Sequence, residues 1–317
     1  MADNINNINE NEVTSEANAA DMVMKEKDIN TVSKKQVAIK VLVQIALYAF
    51  LIIMALFVLF PFYWMIISSV KSVEEYNATV PTIWPQRFQW ANYAAVFKSD
   101  ELNLLQLFWN TVKVGLISTV LSLVVTVLSA YAFAKFEFKG KNAMFAFMLA
   151  TMMIPGELFT ITNYITVSDF GWIDKMVVLI VPFLVSVFYI YLLRQNFMQI
   201  PNELYLAAKV DGTSDLKYLW KVMIPLAAPT LISITILKMM GSWNAYVWPR
   251  LVARADHVKL ITVGLRQYQF IDEASKILVD YPKQMAAVFL VTIPLLLVFI
   301  FLRKYIMRGV SRSGIKG

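Results

Sequence analysis

A chain that returns repeatedly to apolar runs of about twenty residues has few folds open to it. Such runs cover roughly Val41–Ser69, Leu107–Ala134, Ala143–Thr166, Met176–Leu193, Leu226–Trp248 and Gln284–Leu302. About 20 apolar residues in a helix cross the hydrocarbon of a bilayer. Inside lipid every backbone N–H and C=O must be satisfied within its own segment, so such runs form helices. The expectation is an all-α integral membrane protein of six transmembrane helices in the cell membrane. A composition of 58% hydrophobic and 16% charged residues lies well outside the soluble range.

The polar stretches set the organisation. Residues 1–33 are rich in Asn, Asp, Glu and Ala without an apolar period and read as a disordered cytoplasmic tail. They are not a signal peptide, because the first apolar run comes late and is too long. Residues 34–69 form the first transmembrane helix, preceded by Lys34, Lys35 and Lys40. Residues 107–302 form a five-helix core with a polar loop at 197–225, and residues 303–317 form a basic C-terminal tail. Lys and Arg number 17 in the segments placed inside and ten in those placed outside, although six of those ten lie between Arg250 and Lys283. This bias puts both termini in the cytoplasm. The first outer segment, with Trp84, Pro85 and Trp90, suits the membrane interface, where amphipathic aromatics collect. Ser, Thr and Gly throughout the second span suit close helix packing.

Several function classes drop out. There is no cysteine, hence no disulfide, thiolate or Cys-based metal site. The one histidine, His257, reads as a polar loop residue. Gly140-Lys141 lacks the rest of a phosphate-binding loop, so the chain is not an ATPase. The net charge of +7 sits at span ends and in the tails, which speaks to orientation and not to nucleic acid.

The polar loop has an internal order of its own. Between Ile200 and Pro229, Leu204, Ala207 and Ala208 form a helical face that runs into Asp211-Gly212. Leu216, Leu219, Trp220 and Met223 form a second face that runs into Pro225. Pro201 suits a first helical position, Gly212 a left-handed helix end, and Thr213 or Ser214 a cap for the next helix. The spacing predicts a helix–turn–helix between two spans, with two small alanines that let another protein approach.

This segment resembles the EAA loop of the membrane subunits of binding-protein-dependent ABC importers. In that pattern E-A-A is followed by three residues, Gly, nine residues, and then aliphatic–x–aliphatic–Pro. Ala207, Ala208, Gly212, Val222, Ile224 and Pro225 stand at those intervals, whereas the glutamate position holds Leu206. Asn110-Thr111, the run 130–141, MMIP at 152–155, LLRQNFMQIP at 192–201, Ser242-Trp243-Asn244 and Gly314–Gly317 resemble the carbohydrate-importer permeases of the maltose-transporter G-subunit type. The resemblance implies a type I ABC importer fold with a cytoplasmic coupling helix. It also implies a second related permease, two ABC ATPase subunits holding ATP and Mg, and an extracellular sugar-binding protein. The chain itself would be a non-catalytic translocation subunit, without cofactor or metal and surrounded by lipid. ATPase coupling would fall to Ala207, Ala208, Gly212 and Pro225, with Leu206 replacing the glutamate and Glu203 or Asp211 supplying an acid in its stead.

Candidate solute contacts come from the spans. Ionisable groups inside a bilayer are functional hypotheses by default. Glu157 and Lys238 lie roughly 20 Å from the inner ends of their spans at a helical rise per residue. The pair is expected to face the interior, either bonded to each other or lining a polar path. The alternative is a Lys238 that snorkels to a headgroup or pairs with the second permease. Trp243 and Asn244 could stack on and hydrogen-bond a sugar, or serve as an interfacial aromatic and a helix end. Another polar solute, such as a polyol or glycerophosphodiester, stays open. A secondary transporter would normally show internal repeats and broken half-helices at matched positions, and no such repeat is visible.

Overall fold

The computed structural model describes residues 34–311 apart from Ala274 and Ile277, with side chains from Val37 to Arg303. The expected disordered tail at 1–33 and the chain end at 312–317 lie outside this range. By internal contacts the chain divides into two units after Trp64.

The first unit carries most of helix α1 (Lys34–Ser69), which runs through Pro61. None of the most apolar stretch of this helix is buried against its own chain, and Phe57 is 76% exposed. An apolar helical stretch that is not buried within its own chain has lipid, or another membrane helix, as its solvent.

Among its described residues the regular structure of the second unit is helical, with one isolated antiparallel bridge, Ile271 to Val279. Its early elements are α2 (Val73–Tyr76), α3 (Ala91–Lys98) and α4 (Leu104–Lys135). They are followed by α5 (Lys141–Thr151), α6 (Thr160–Asp169), α7 (Met176–Ile180) and α8 (Val187–Met198). Then come α9 (Asn202–Val210), α10 (Asp215–Tyr218), α11 (Ile224–Leu226) and α12 (Ala228–Asn244). The last are α13 (Val247–Val252), α14 (Ile261–Gln267) and α15 (Tyr281–Ser311). Helix α4 is the central post, against which α8, α12 and α14 all pack. Its buried face is Asn110, Thr111, Val114, Gly115, Ser118, Thr119, Ser122 and Thr126. These small side chains admit close neighbours. Gly264 of α14 shows how close: a Cβ there would meet Leu107 Cδ1 at 2.3 Å.

Among the described residues three helices, at Val37–Ser69, Leu104–Lys135 and Tyr281–Arg303, are each long and apolar enough to cross a membrane. Three more crossings are reached only by counting bent pairs as single spans, which gives six by length and composition. Continuous helices are expected there, and the structure differs. The span through Ile154-Pro155-Gly156 bends by 83°, the one through Pro182 by 46°, and the one entered through Pro225 and Pro229 by 80°. Proline removes an N–H and clashes with the preceding turn, so each break sits at or beside one. Broken helices alone therefore do not single out a secondary transporter.

The outer segments are built, not loose. Asn92 Nδ2 donates to the carbonyls of Ser69 and Lys71, both at 2.9 Å, and buried Lys71 donates to the Thr82 carbonyl. Thr82 Oγ1 donates to Glu75 Oε1 at 2.6 Å. Asn110 Nδ2 donates to the carbonyls of His257 and Lys259 at 3.0 and 3.1 Å, and Ile261 N–H donates to Thr111 Oγ1 at 2.9 Å. Asn110-Thr111 thus ties the second outer segment to the central helix.

Candidate functional site

Two regions carry functional geometry: the helical hairpin at 202–226 and a cavity beside α4 and α12. In the hairpin, α9 ends at Asp211 and Gly212 takes φ +69°. Thr213 N–H returns to the Ala208 carbonyl at 2.8 Å and Gly212 N–H to the Lys209 carbonyl at 3.0 Å. That pair of bonds is the Schellman closure, which glycine allows because it lacks the Cβ that left-handed backbone would crowd. Of the two expected caps, Ser214 serves: its side chain accepts from Lys217 N–H. A π-helical turn, Leu219–Met223, follows α10. There Ile224 N–H reaches back to the Leu219 carbonyl, a wider loop that carries the helix to Pro225 without its missing donor.

Asp215 holds this hairpin together. Its carboxylate accepts from Tyr205 Oη at 2.8 Å and Lys209 Nζ at 2.9 Å on α9, and from Tyr131 Oη at 3.3 Å on α4. The Lys209 ammonium, followed by the Tyr205 hydroxyl, holds the Asp215 carboxyl below the usual carboxylate range. The same bond raises Lys209 above the ordinary lysine value. Beneath, Phe197, Tyr218, Leu219 and Met223 are buried with Tyr131 and Leu193 in one apolar cluster. The hairpin is therefore fixed to α4 and α8 by both packing and hydrogen bonds.

The outer surface of α9 carries large apolar side chains. Leu206 is 57% exposed and Val210, one turn on, is 89% exposed. Glu203, Ala207, Asp211 and Pro225 are exposed as well, while Ala208 leans on the cluster beneath. Glu203 or Asp211 is expected to replace the motif's glutamate. Within the hairpin the ion pair belongs to Asp215, which meets Lys209 on α9 and also accepts from Tyr131 on α4.

The cavity holds about 580 Å³ and is lined in part by Ser118, Tyr189, Lys238, Ser242, Tyr246 and Trp248. Lys238 Nζ donates to the Phe183 carbonyl at 2.6 Å, an acceptor freed where the helix breaks after Phe183. Trp248 is fixed by its indole N–H on the Val178 carbonyl at 3.0 Å and by an edge contact with Phe183. The sequence reading missed Tyr189, Tyr246 and Trp248. Only their aromatic character marked them, and aromatics are common throughout this chain.

The structure does not bring Glu157 to Lys238. Glu157 sits exposed in the short 3-10 helix Gly156–Phe159, outside the cavity lining. A depth reckoned along a straight helix fails across the 83° bend in that span. Trp243 is corrected too. It is 5% exposed and meets Phe108 edge-on, with ring centres 5.7 Å apart, so its face is inside the core and not offered to a sugar. Asn244 is exposed at the end of α12 and does not line the cavity.

Broken membrane helices around a cavity, with a rigid hairpin projecting between two spans, are the parts of a membrane permease. The chain belongs to the binding-protein-dependent transport system inner membrane component family, whose model matches residues 122–312. It is similar to the arabinooligosaccharides transport system permease protein AraQ of Bacillus subtilis, 28% identical over 276 residues, 86% of this chain and 96% of that protein. The lactose transport system permease protein LacG of Rhizobium radiobacter is 29% identical over 266 residues, 84% of this chain and 94% of that protein. Among solved structures, a chain of a bacterial ABC transporter involved in import of the acidic polysaccharide alginate matches with TM-score 0.76 and 25% identity. The match covers 86% of this chain and 98% of that one. The protein is thus an ABC importer permease of the cell membrane, with an all-α fold of the type I class.

Proposed function

We propose that this chain is one of two related permease subunits that form the pore of an importer for a sugar or oligosaccharide. Two ATPase subunits inside would hold ATP and Mg, and an extracellular binding protein would deliver the solute. The chain binds no cofactor and catalyses no reaction. The observation that carries this reading is the hairpin at 202–226, closed by Gly212, knitted by Asp215 and exposing Leu206 and Val210. Such an element moves as one piece with α4 and α8, so closure of an ATPase against it would tilt the membrane helices. Alternating access then follows as a two-state rearrangement of packed helices, with ATP and loaded binding protein shifting the populations. The names of two relatives, for arabinooligosaccharides and lactose, support a saccharide, while sn-glycerol-3-phosphate permeases at 28% and 27% identity keep a phosphorylated polyol as the alternative solute.

The test is a pull-down of the tagged chain from mild detergent, followed by an ATPase assay. Recovery of a second permease and an ATPase, stimulated by loaded binding protein, is the expected outcome. Ion-driven uptake by the chain alone would replace this reading with a secondary transporter.

A further inference from the structure

The cavity beside α12 is chemically one-sided. Lys238 lines it, and none of its lining residues is a carboxylate. Lys238 has no ion-pair partner among the described residues, and its one hydrogen bond goes to the Phe183 carbonyl. An ammonium carries three donors, so two are left to face the cavity. Satisfying one carbonyl at a helix break needs only a neutral donor. Keeping a cation at this depth is costly unless it meets an opposite charge.

A second set of cations lies behind the cavity wall. Tyr246 is a lining residue, and its ring has the Arg266 guanidinium 4.4 Å from its centre and that of Arg250 at 5.7 Å. Arg250 Nη1 also donates to the Tyr246 hydroxyl at 3.0 Å. Neither arginine has a carboxylate partner among the described residues. Both follow Asn244, the end of α12 that the charge bias places outside. Lys238 lies six residues, about 9 Å at helical rise, further in. Positive charge thus lies on Lys238 in the cavity lining and behind the Tyr246 wall, an arrangement that draws in anions. Tyr189, Tyr246 and Trp248 add aromatic faces of the sort that pack against sugar rings.

We infer that this cavity takes an anionic saccharide, one bearing a carboxylate or a phosphate, with the negative group on Lys238 and the ring among the aromatic walls. The inference rests on the importer reading and narrows its solute.

The experiment uses the assembled importer in lipid nanodiscs and reads its thermal unfolding midpoint against probe concentration. The probes are digalacturonate, its methyl ester, glucose 6-phosphate and glucose. At least one charged probe raises the midpoint and its neutral counterpart does not, and whichever charged probe acts names the source of the anion. Lys238→Gln, which keeps a donor for the Phe183 carbonyl, raises the half-effective concentration of that probe about tenfold or more, and Lys238→Arg restores it. If Lys238→Gln fails to assemble, the exposed Arg266→Gln is used, and it weakens the charged response about threefold at low salt. Charged and neutral probes acting alike, no probe acting, or an anion response indifferent to both substitutions would overturn the inference. Assembly with the ATPase is scored first on the same preparation. Its failure removes the importer reading, whereas an assembled complex that ignores anions removes only the anionic solute.

Discussion

At the scale of single residues, conformation and charge act at different points of the hairpin. Gly212 holds φ +69°, and a side chain there costs about 1–2 kcal/mol. Gly212→Ala should therefore lower the unfolding midpoint and loosen the hairpin to protease, while Gly212→Asn, which tolerates left-handed backbone, should do so less. Gly264 has another reason to be glycine, since a methyl group would collide with Leu107. Asp215 and Lys209 set a pH window. The Asp215 carboxyl is lowered in the folded chain, so its contribution is present above the ordinary carboxylate value and lost as pH falls through the folded one. Lys209 is raised, so its contribution is present below the ordinary lysine value and lost as pH rises beyond it. Amide exchange in residues 202–218 should thus be equally protected, after correction for intrinsic rate, from about pH 5 to about pH 9. A protection step near neutrality would refute this pairing.

At the scale of elements, the sequence showed the hairpin more clearly than the spans. Its Pro201, Gly212 and Ser214 are local signals that act within one or two turns; the structure uses Gly212 and Ser214 where the spacing put them, and Pro201 stands one residue earlier than expected, as the N-cap before Asn202. The breaks were harder to see. Pro155, Pro182 and Pro225 were visible, but proline is tolerated within membrane helices, as Pro61 and Pro294 show here. Whether a proline bends its helix depends on neighbours that no local pattern records. The same gap explains the cavity: Lys238 stood out as a charge in an apolar run, whereas Tyr189 and Tyr246 reach it only through tertiary packing. Two predictions belong here. Phe197→Ala, emptying a fully buried site under the hairpin, should cost about 3–5 kcal/mol, seen as a lower unfolding midpoint. Replacing Pro155-Gly156 by Ala-Ala should straighten the third span and cut uptake about tenfold or more while the subunits still co-purify. Unchanged uptake would mean that this bend is not used in transport.

At the scale of the whole molecule, the question is what meets its exposed surfaces. Leu206 and Val210 lie one turn apart on the projecting face of α9, so a partner that fits them presents an apolar patch of its own. Leu206→Glu should leave the chain's own stability within about 0.5 kcal/mol, as surface changes do. It should reduce ATPase recovery in the pull-down about tenfold, the loss of one apolar anchor. Full recovery would show that position 206 only borders the contact. The first helix poses the same question on a larger area. The most apolar stretch of this helix is not buried inside the molecule, so burial against later parts of the sequence is not what makes it helical. During synthesis this segment can settle into the bilayer as soon as it emerges, before any of its eventual neighbours has been made. It would then tether a nascent chain whose remaining crossings are jointed and must wait for one another.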